Sequence, residues 1–200
     1  MADTTTESRG RPWPVIVLTL LFVGPLAAAA FVYYAIPGWR PDGRVNHGEL
    51  IEPPVAMPRI ALAGPDGQPL TEEPLRHRWT LIYVDDSGCD AACRQILFDT
   101  WQVRYLMHRD LDRVRRILVY TGAAPDPEYV AEGHPDLLVA DGAAAGAPAL
   151  LAALPPADEA GDAVYLVDPL GNLMMRFPVT GTWQDMHKDL KKLLKLSRIG

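Results

Sequence analysis

Trp79–His108, WTLIYVDDSGCDAACRQILFDTWQVRYLMH, contains both cysteines of the chain, Cys89 and Cys93. Trp79 to Val84 is a short β-branched and aromatic run, and Asp85 to Gly88 has turn chemistry. From Ala91 onward apolar residues recur at Ile96, Leu97, Thr100/Trp101, Val103 and Met107, the spacing of one helical face. The stretch therefore reads as strand, tight turn, helix. Cys89 and Cys93 fall at the mouth of that helix, where unpaired N–H groups and the helix dipole favour a thiolate over a thiol.

Working outward, Arg116 to Thr121 supplies a second apolar strand of the kind buried on both faces of a sheet. Two strands joined by one long helix make a βαβ unit, which requires parallel strands. Upstream, Arg59 to Ala63 followed by Pro65-Asp66-Gly67 and Leu70 reads as a strand and a hairpin turn. Downstream, Pro125 to Glu132 makes one or two helical turns and Leu137 to Ala140 a short strand. Gly142 to Leu154 reads as an alanine-rich helix stopped by Pro155-Pro156. Ala163 to Val167 and Leu173 to Phe177 flank the turn Asp168-Pro169-Leu170-Gly171-Asn172 as a hairpin. Thr182 to Leu196 sets Met186, Leu190, Leu193 and Leu194 on one face of a helix that carries all four lysines of the chain. The bland reading of those lysines is solubility and complementarity to the helix dipole; contact with anionic headgroups is the alternative.

The N-terminal part has a different composition. Val15 to Ile36 contains no charged residue, and a helix of that length crosses a hydrocarbon core of about 30 Å. Trp13, Tyr33, Tyr34 and Trp39 lie near its two ends, as in an aromatic belt. A cleaved signal peptide ending near Ala28-Ala29-Ala30 leaves the apolar run through Ile36 unexplained, so an uncleaved anchor is preferred. The expected organisation is a short tail over 1–12, a transmembrane anchor over 13–37, a Pro/Gly-rich linker over 38–57 and a folded domain over 58–198. Arg9 and Arg11 before the span nearly balance Arg40 and Arg44 after it, so charge does not set the orientation. A cysteine pair suits an oxidising compartment and favours a periplasmic domain on the inner membrane.

Composition removes several function classes. The chain of 200 residues has a formal net charge of −6, which opposes phosphate backbones and argues against nucleic acid as a partner. Two cysteines are too few for a multi-bridge framework or a four-cysteine zinc site. There is no phosphate-binding glycine loop, no HExxH and no Gly-x-Ser-x-Gly. Asp85-Asp86 reads as turn and cap chemistry rather than as an acid/base pair, and Trp101 and Trp183 as core or helix-packing residues.

The order strand, cysteine-bearing turn, long helix, strand, helix, hairpin, helix is the layout of an α/β thioredoxin-like fold, a central mixed sheet flanked by helices. Cys89-Asp90-Ala91-Ala92-Cys93 resembles the CxxxC motif of the Sco/SenC family, the membrane-anchored copper-handling factors of cytochrome c oxidase assembly. The hairpin Val164-Tyr165-Leu166-Val167-Asp168-Pro169-Leu170-Gly171-Asn172 and the single N-terminal anchor are similar to that family as well. The resemblance implies Cu(I) as the metal, held by Cys89 and Cys93, and oxidase subunits or another copper or thiol carrier as partners at the inner membrane. In the family pattern a histidine shortly before the hairpin tyrosine completes the site; Pro156 to Asp162 contains none. His134, within Glu132-Gly133-His134-Pro135, is the nearest substitute for the third ligand, although a lone loop histidine is ordinarily solvated, as are His47, His77, His108 and His187 by the same default.

The spacing also has a reading of its own. Three intervening residues at a helix start bring two sulfurs to one side, where soft thiolates select Cu(I) or where the pair exchanges with a disulfide. In the exchange reading Cys89, nearer the exposed turn, attacks and Cys93 resolves; Arg94 and the helix N-terminus favour the thiolate, whereas Asp85, Asp86 and Asp90 oppose it. Three further readings remain: a disulfide that only stiffens the turn, a non-catalytic assembly scaffold, and a periplasmic thiol reductase of a copper carrier.

Overall fold

The computed structural model describes residues 13–35, 46–155, 162–197 and 199. The expected tail over 1–12, the first part of the linker through residue 45 and the histidine-free segment 156–161 lie outside them. Two compact units are present, 1–44 and 45–200.

The first unit is helix α1, Trp13–Ala35, with Pro25 inside it and no buried residue. It is long and apolar enough to cross a membrane, with a mean hydropathy of 2.6 over its most apolar window. Pro25 is compatible with this setting, because neighbouring groups in a membrane helix can take up the freed carbonyl. Within the same helix Thr19 donates its hydroxyl to the Val15 carbonyl at 2.8 Å.

The second unit is built around β4, Trp79–Asp85, buried along almost its whole length. Helix α2, Ala91–Tyr105, and a 3₁₀ segment, His108–Arg113, lead to β5, Val114–Tyr120. β4 and β5 pair in parallel from Trp79↔Val114 to Asp85↔Tyr120, which completes the expected βαβ unit. β7, Ala163–Val167, pairs antiparallel with the other edge of β4, and β8, Asn172–Pro178, returns beside it through the turn at Asp168. β6, Leu137–Asp141, adds a parallel neighbour to β5, and β1, Glu49–Ala56, closes the far edge. The resulting order is β1-β8-β7-β4-β5-β6, a mixed sheet. A two-stranded hairpin of β2, Leu62–Ala63, and β3, Pro69–Thr71, stands apart from it.

Side-chain alternation divides the core. Trp79, Leu81 and Tyr83 of β4 point to the face covered by α2 and by α5, Trp183–Leu196, where Leu97, Val103, Met186, Leu190 and Leu194 are buried. Ile82 of β4, with Ile117 and Val119 of β5, points to the opposite face, covered by Leu62, Leu75 and Leu150. Leu150 belongs to α4, Ala147–Ala153. Both faces being covered explains why β4, β5 and β7 read as continuous apolar runs.

Three local expectations change. Residues 49–56, expected in the linker, form the edge strand β1: β8 offers unpaired backbone groups, and an edge strand tolerates Pro53 and Pro54 because one side of it carries no ladder. The alanine-rich helix begins at Ala147, not near Gly142. Asp141 accepts the Ala143 N–H at 2.8 Å, and Gly146 takes φ 89° against the Ala61 carbonyl, where a Cβ would clash; both hold the preceding residues in a turn. Trp101 stacks between Phe98 and Tyr105 along the outer side of α2 and is absent from the buried core.

Candidate thiol and metal site

β4 ends on Asp85, which is buried, and its two carboxylate oxygens organise the turn that follows. Oδ1 accepts from the Ser87 hydroxyl at 2.8 Å and Oδ2 from the Cys89 N–H at 2.9 Å. Gly88 and Cys89 both take positive φ, 76° and 61°. Glycine does this freely; for a cysteine the left-handed region costs roughly 1–2 kcal/mol, which the bond to Asp85 helps offset. Asp90 is the N-cap of α2, its Oδ1 accepting the N–H groups of Ala92 at 2.9 Å and Cys93 at 3.1 Å. Its own N–H donates to the Ser87 hydroxyl. The acidic residues of the motif thus satisfy backbone donors first, and their charge falls on the cysteine turn second.

Cys89 and Cys93 are joined as a disulfide with Cα atoms 4.9 Å apart, well within the range a disulfide spans. Cys89 is 4% exposed and Cys93 fully buried, both within the core under α2. Cys89, expected nearer the exposed turn than Cys93, is thus buried along with it. Arg94 donates from Nε to the Cys89 carbonyl at 3.3 Å, and its guanidinium lies 4.5 Å from the ring centroid of Tyr129. Tyr129 belongs to α3, Pro127–Gly133, whose N-cap is Asp126.

His134 caps the C-terminus of α3 and is 3% exposed, so the default of a solvated loop side chain fails for it. Its Nε2 shares a hydrogen bond with the Tyr129 hydroxyl at 3.0 Å, while Nδ1 is buried without a partner among the described residues. Burial holds its pKa below the ordinary histidine value, with Arg116 acting the same way and Asp136 opposing. Arg116 is itself buried and ties α2 to the residue just before β6: it donates to the Leu97 carbonyl at 2.6 Å, to the Thr100 hydroxyl at 3.2 Å and to both oxygens of Asp136. A chain of contacts runs from His134 to Tyr129, from Tyr129 to Arg94 and from Arg94 to the Cys89 carbonyl. Among the described residues no three His, Cys, Asp or Glu side chains are gathered as a metal site.

The acidic charge at this end of the sheet is registered by Tyr83, whose hydroxyl is pushed above its ordinary pKa by burial first and then by Asp162, Asp85, Asp90 and Asp86. Of the residues that shape the turn, Asp85 was legible as a turn former and as a charge opposing the thiolate, but not as the acceptor of the Cys89 N–H. A carboxylate at a strand end four residues before a cysteine is the signal for that role. Tyr129 gave no such signal, because its contact with Arg94 is made by the fold.

Residues 79–197 match the model of one protein family, described as transmembrane-like, thioredoxin-like, C-terminal domain. The chain belongs to this family. The match runs from the start of β4 to just past α5 and covers more than half of the chain. No curated protein sequence matches significantly. Several structural neighbours of this transmembrane-like, thioredoxin-like protein are Sco proteins. ScoI of Bradyrhizobium japonicum, solved with copper bound, is 23% identical, with 69% of this chain and 98% of that one aligned at a TM-score of 0.51. Yeast Sco1 with copper bound is 17% identical, with 72% and 91% aligned at 0.54. BsSco, described as a Sco-family cytochrome c oxidase assembly protein with a disulfide switch, is 16% identical, with 72% and 96% aligned at 0.50. At these identities the likeness establishes the thioredoxin-like fold.

Proposed function

We propose that this protein is a single-pass, membrane-anchored, Sco-like factor that supports cytochrome c oxidase assembly through thiol–disulfide and copper handling at Cys89 and Cys93. The observation that carries the reading is the disulfide between these residues at the start of α2 in a thioredoxin-like domain. The apolar helix α1 supports the anchor, and the oxidised pair is in keeping with a periplasmic domain on the inner membrane. Similarity to Sco structures that hold copper, and to one with a disulfide switch, supports the chemistry.

The exchange step needs an external dithiol carrier. A thiolate of the carrier attacks one sulfur of Cys89–Cys93, the S–S bond breaks as a mixed disulfide forms, and the carrier's second thiol closes its own disulfide. Two electrons and two protons pass to the pair, leaving Cys89 and Cys93 as thiols. Cu(I) is then cargo for two sulfurs at one helix mouth, and binding it releases their protons. Among the described residues His134 stands in no three-residue cluster with them, so the copper proposal rests on the sulfurs, and the His134→Ala variant tests whether the ring joins on reduction.

Burial of both cysteines favours a second reading, a scaffold whose disulfide only stiffens the turn. Exchange of both cysteines for serine in cells separates the two. Loss of oxidase assembly with the chain still present at normal abundance is expected, and normal assembly supports the scaffold. Cu(I) competition on the reduced chain tests the cargo: tight one-to-one binding absent from the serine variant is expected, and equal weak binding by both removes copper from the proposal.

A further inference from the structure

Away from the cysteines, the C-terminal end of α2, the 3₁₀ segment and α5 enclose a cavity of about 210 Å³. Leu106 and Leu194 give it apolar walls; His108, Arg109, Asp110 and Lys191 give it polar ones. The single carboxylate there is already engaged, because Asp110 pairs with Arg113 at 3.0 Å. Arg109, Lys191 and His108 make no ion pair among the described residues. One turn before Lys191, on the same face of α5, His187 has a buried Nε2 with no hydrogen-bond partner among the described residues.

This arrangement is electrostatically unbalanced. Burial pushes the His187 pKa below its ordinary value, and the charges of Lys191 and His108 push it the same way, while the Leu106 carbonyl opposes them. The crowding occurs in a chain of net charge −6 whose four lysines all lie in α5. Like charges around a partly enclosed space repel one another, and an anion placed among them converts that repulsion into attraction.

We infer that the cavity bounded by His108, Arg109 and Lys191 is a binding site for a tetrahedral phosphate group. A guanidinium offers paired N–H donors to two phosphate oxygens, an ammonium offers a point charge, and an imidazole a directed donor. Apolar walls keep water from competing for the same oxygens. The group is either inorganic phosphate or the phosphodiester of an anionic phospholipid headgroup, and the chemistry at the site is the same for both. The site lies outside the turn that carries Cys89 and Cys93, so its occupancy and the thiol chemistry are tested separately.

The test uses the full chain in non-ionic detergent with isotope-labelled histidine rings, followed by NMR while inorganic phosphate is added against chloride at matched ionic strength. Saturable shifts of the His108 and His187 rings with phosphate alone are expected. In the Arg109→Gln/Lys191→Gln variant, apparent affinity falls by about tenfold or more, since two charge-assisted hydrogen bonds are lost. The Arg59→Gln variant, a change at an exposed arginine bonded to Glu73, leaves the titration unchanged. Equal shifts in chloride and phosphate, or an undiminished response in the double variant, overturn the inference. In nanodiscs without free phosphate, the same shifts on replacing part of the phosphatidylcholine by phosphatidylglycerol identify the headgroup as the source. Shifts with inorganic phosphate but not in those discs identify the soluble ion, and shifts in neither overturn the site.

Discussion

Asp85 and Asp90 divide the cysteine turn between them, one holding the Cys89 N–H and the other the first free N–H groups of α2. Replacing Asp90 by alanine leaves two helix donors without this acceptor and should cost about 1 kcal/mol of stability, read by chemical denaturation with the disulfide intact. An unchanged midpoint contradicts the capping role. His134 and His187 act through pH. Both have folded-state pKa values below the ordinary 6.5, each chiefly through burial. As pH drops below that value the unfolded chain takes up protons that the folded rings refuse, so folding stability is full above it and declines on acidification until the folded values are passed. Denaturation between about pH 7.5 and about pH 5.5 should show this loss, and the His134→Gln/His187→Gln variant should show a flatter dependence. The same slope in both proteins contradicts it. At this scale the sequence spoke clearly for the cysteines and for a helix mouth, since spacing and turn chemistry are local. Burial of Cys89 and the Tyr129–His134 contact are tertiary facts that no local pattern encodes.

At the scale of elements, β4, α2 and β5 were legible because apolar alternation and helical spacing continue without interruption across them. β1 was not, because its proline pair and exposed side chains look like a linker, and its place is set from outside. Asp189 of α5, 3% exposed, accepts the N–H groups of His47 at 2.7 Å and Gly48 at 2.8 Å and pairs with the His47 ring at 3.1 Å. That latch fixes the entry of the chain into the domain, and Gly48 fits because a Cβ there would strike the Phe177 ring. An Asp189→Ala change removes the common acceptor and should destabilise by about 2 kcal/mol. Hydrogen exchange should rise first in 46–56, while β4 and β5 keep their protection. Uniform loss of protection across the sheet contradicts a local latch.

For the molecule as a whole, the sheet buries an apolar layer on each face, and the cysteine turn sits at the end of its central parallel pair. Strands of both senses meet at β4, with β5 parallel on one side and β7 antiparallel on the other. The parallel pair β4–β5 and the hairpin β7–β8 were legible from the sequence of elements, whereas the antiparallel seat of β7 beside β4 was not, because it is set by tertiary pairing. Inside this scaffold Cys89–Cys93 is proposed as a working pair rather than a static bridge. The most direct test is the redox state of the pair in the membrane-bound protein in cells, trapped by acid quenching and scored by a mass tag on free thiols. Cells grown with and without an added dithiol reductant are compared. Both disulfide and dithiol forms should be recovered, with the dithiol fraction rising under reductant and the domain remaining protease-resistant. A disulfide present in every folded molecule under both conditions would contradict the claim and leave the pair as a structural staple.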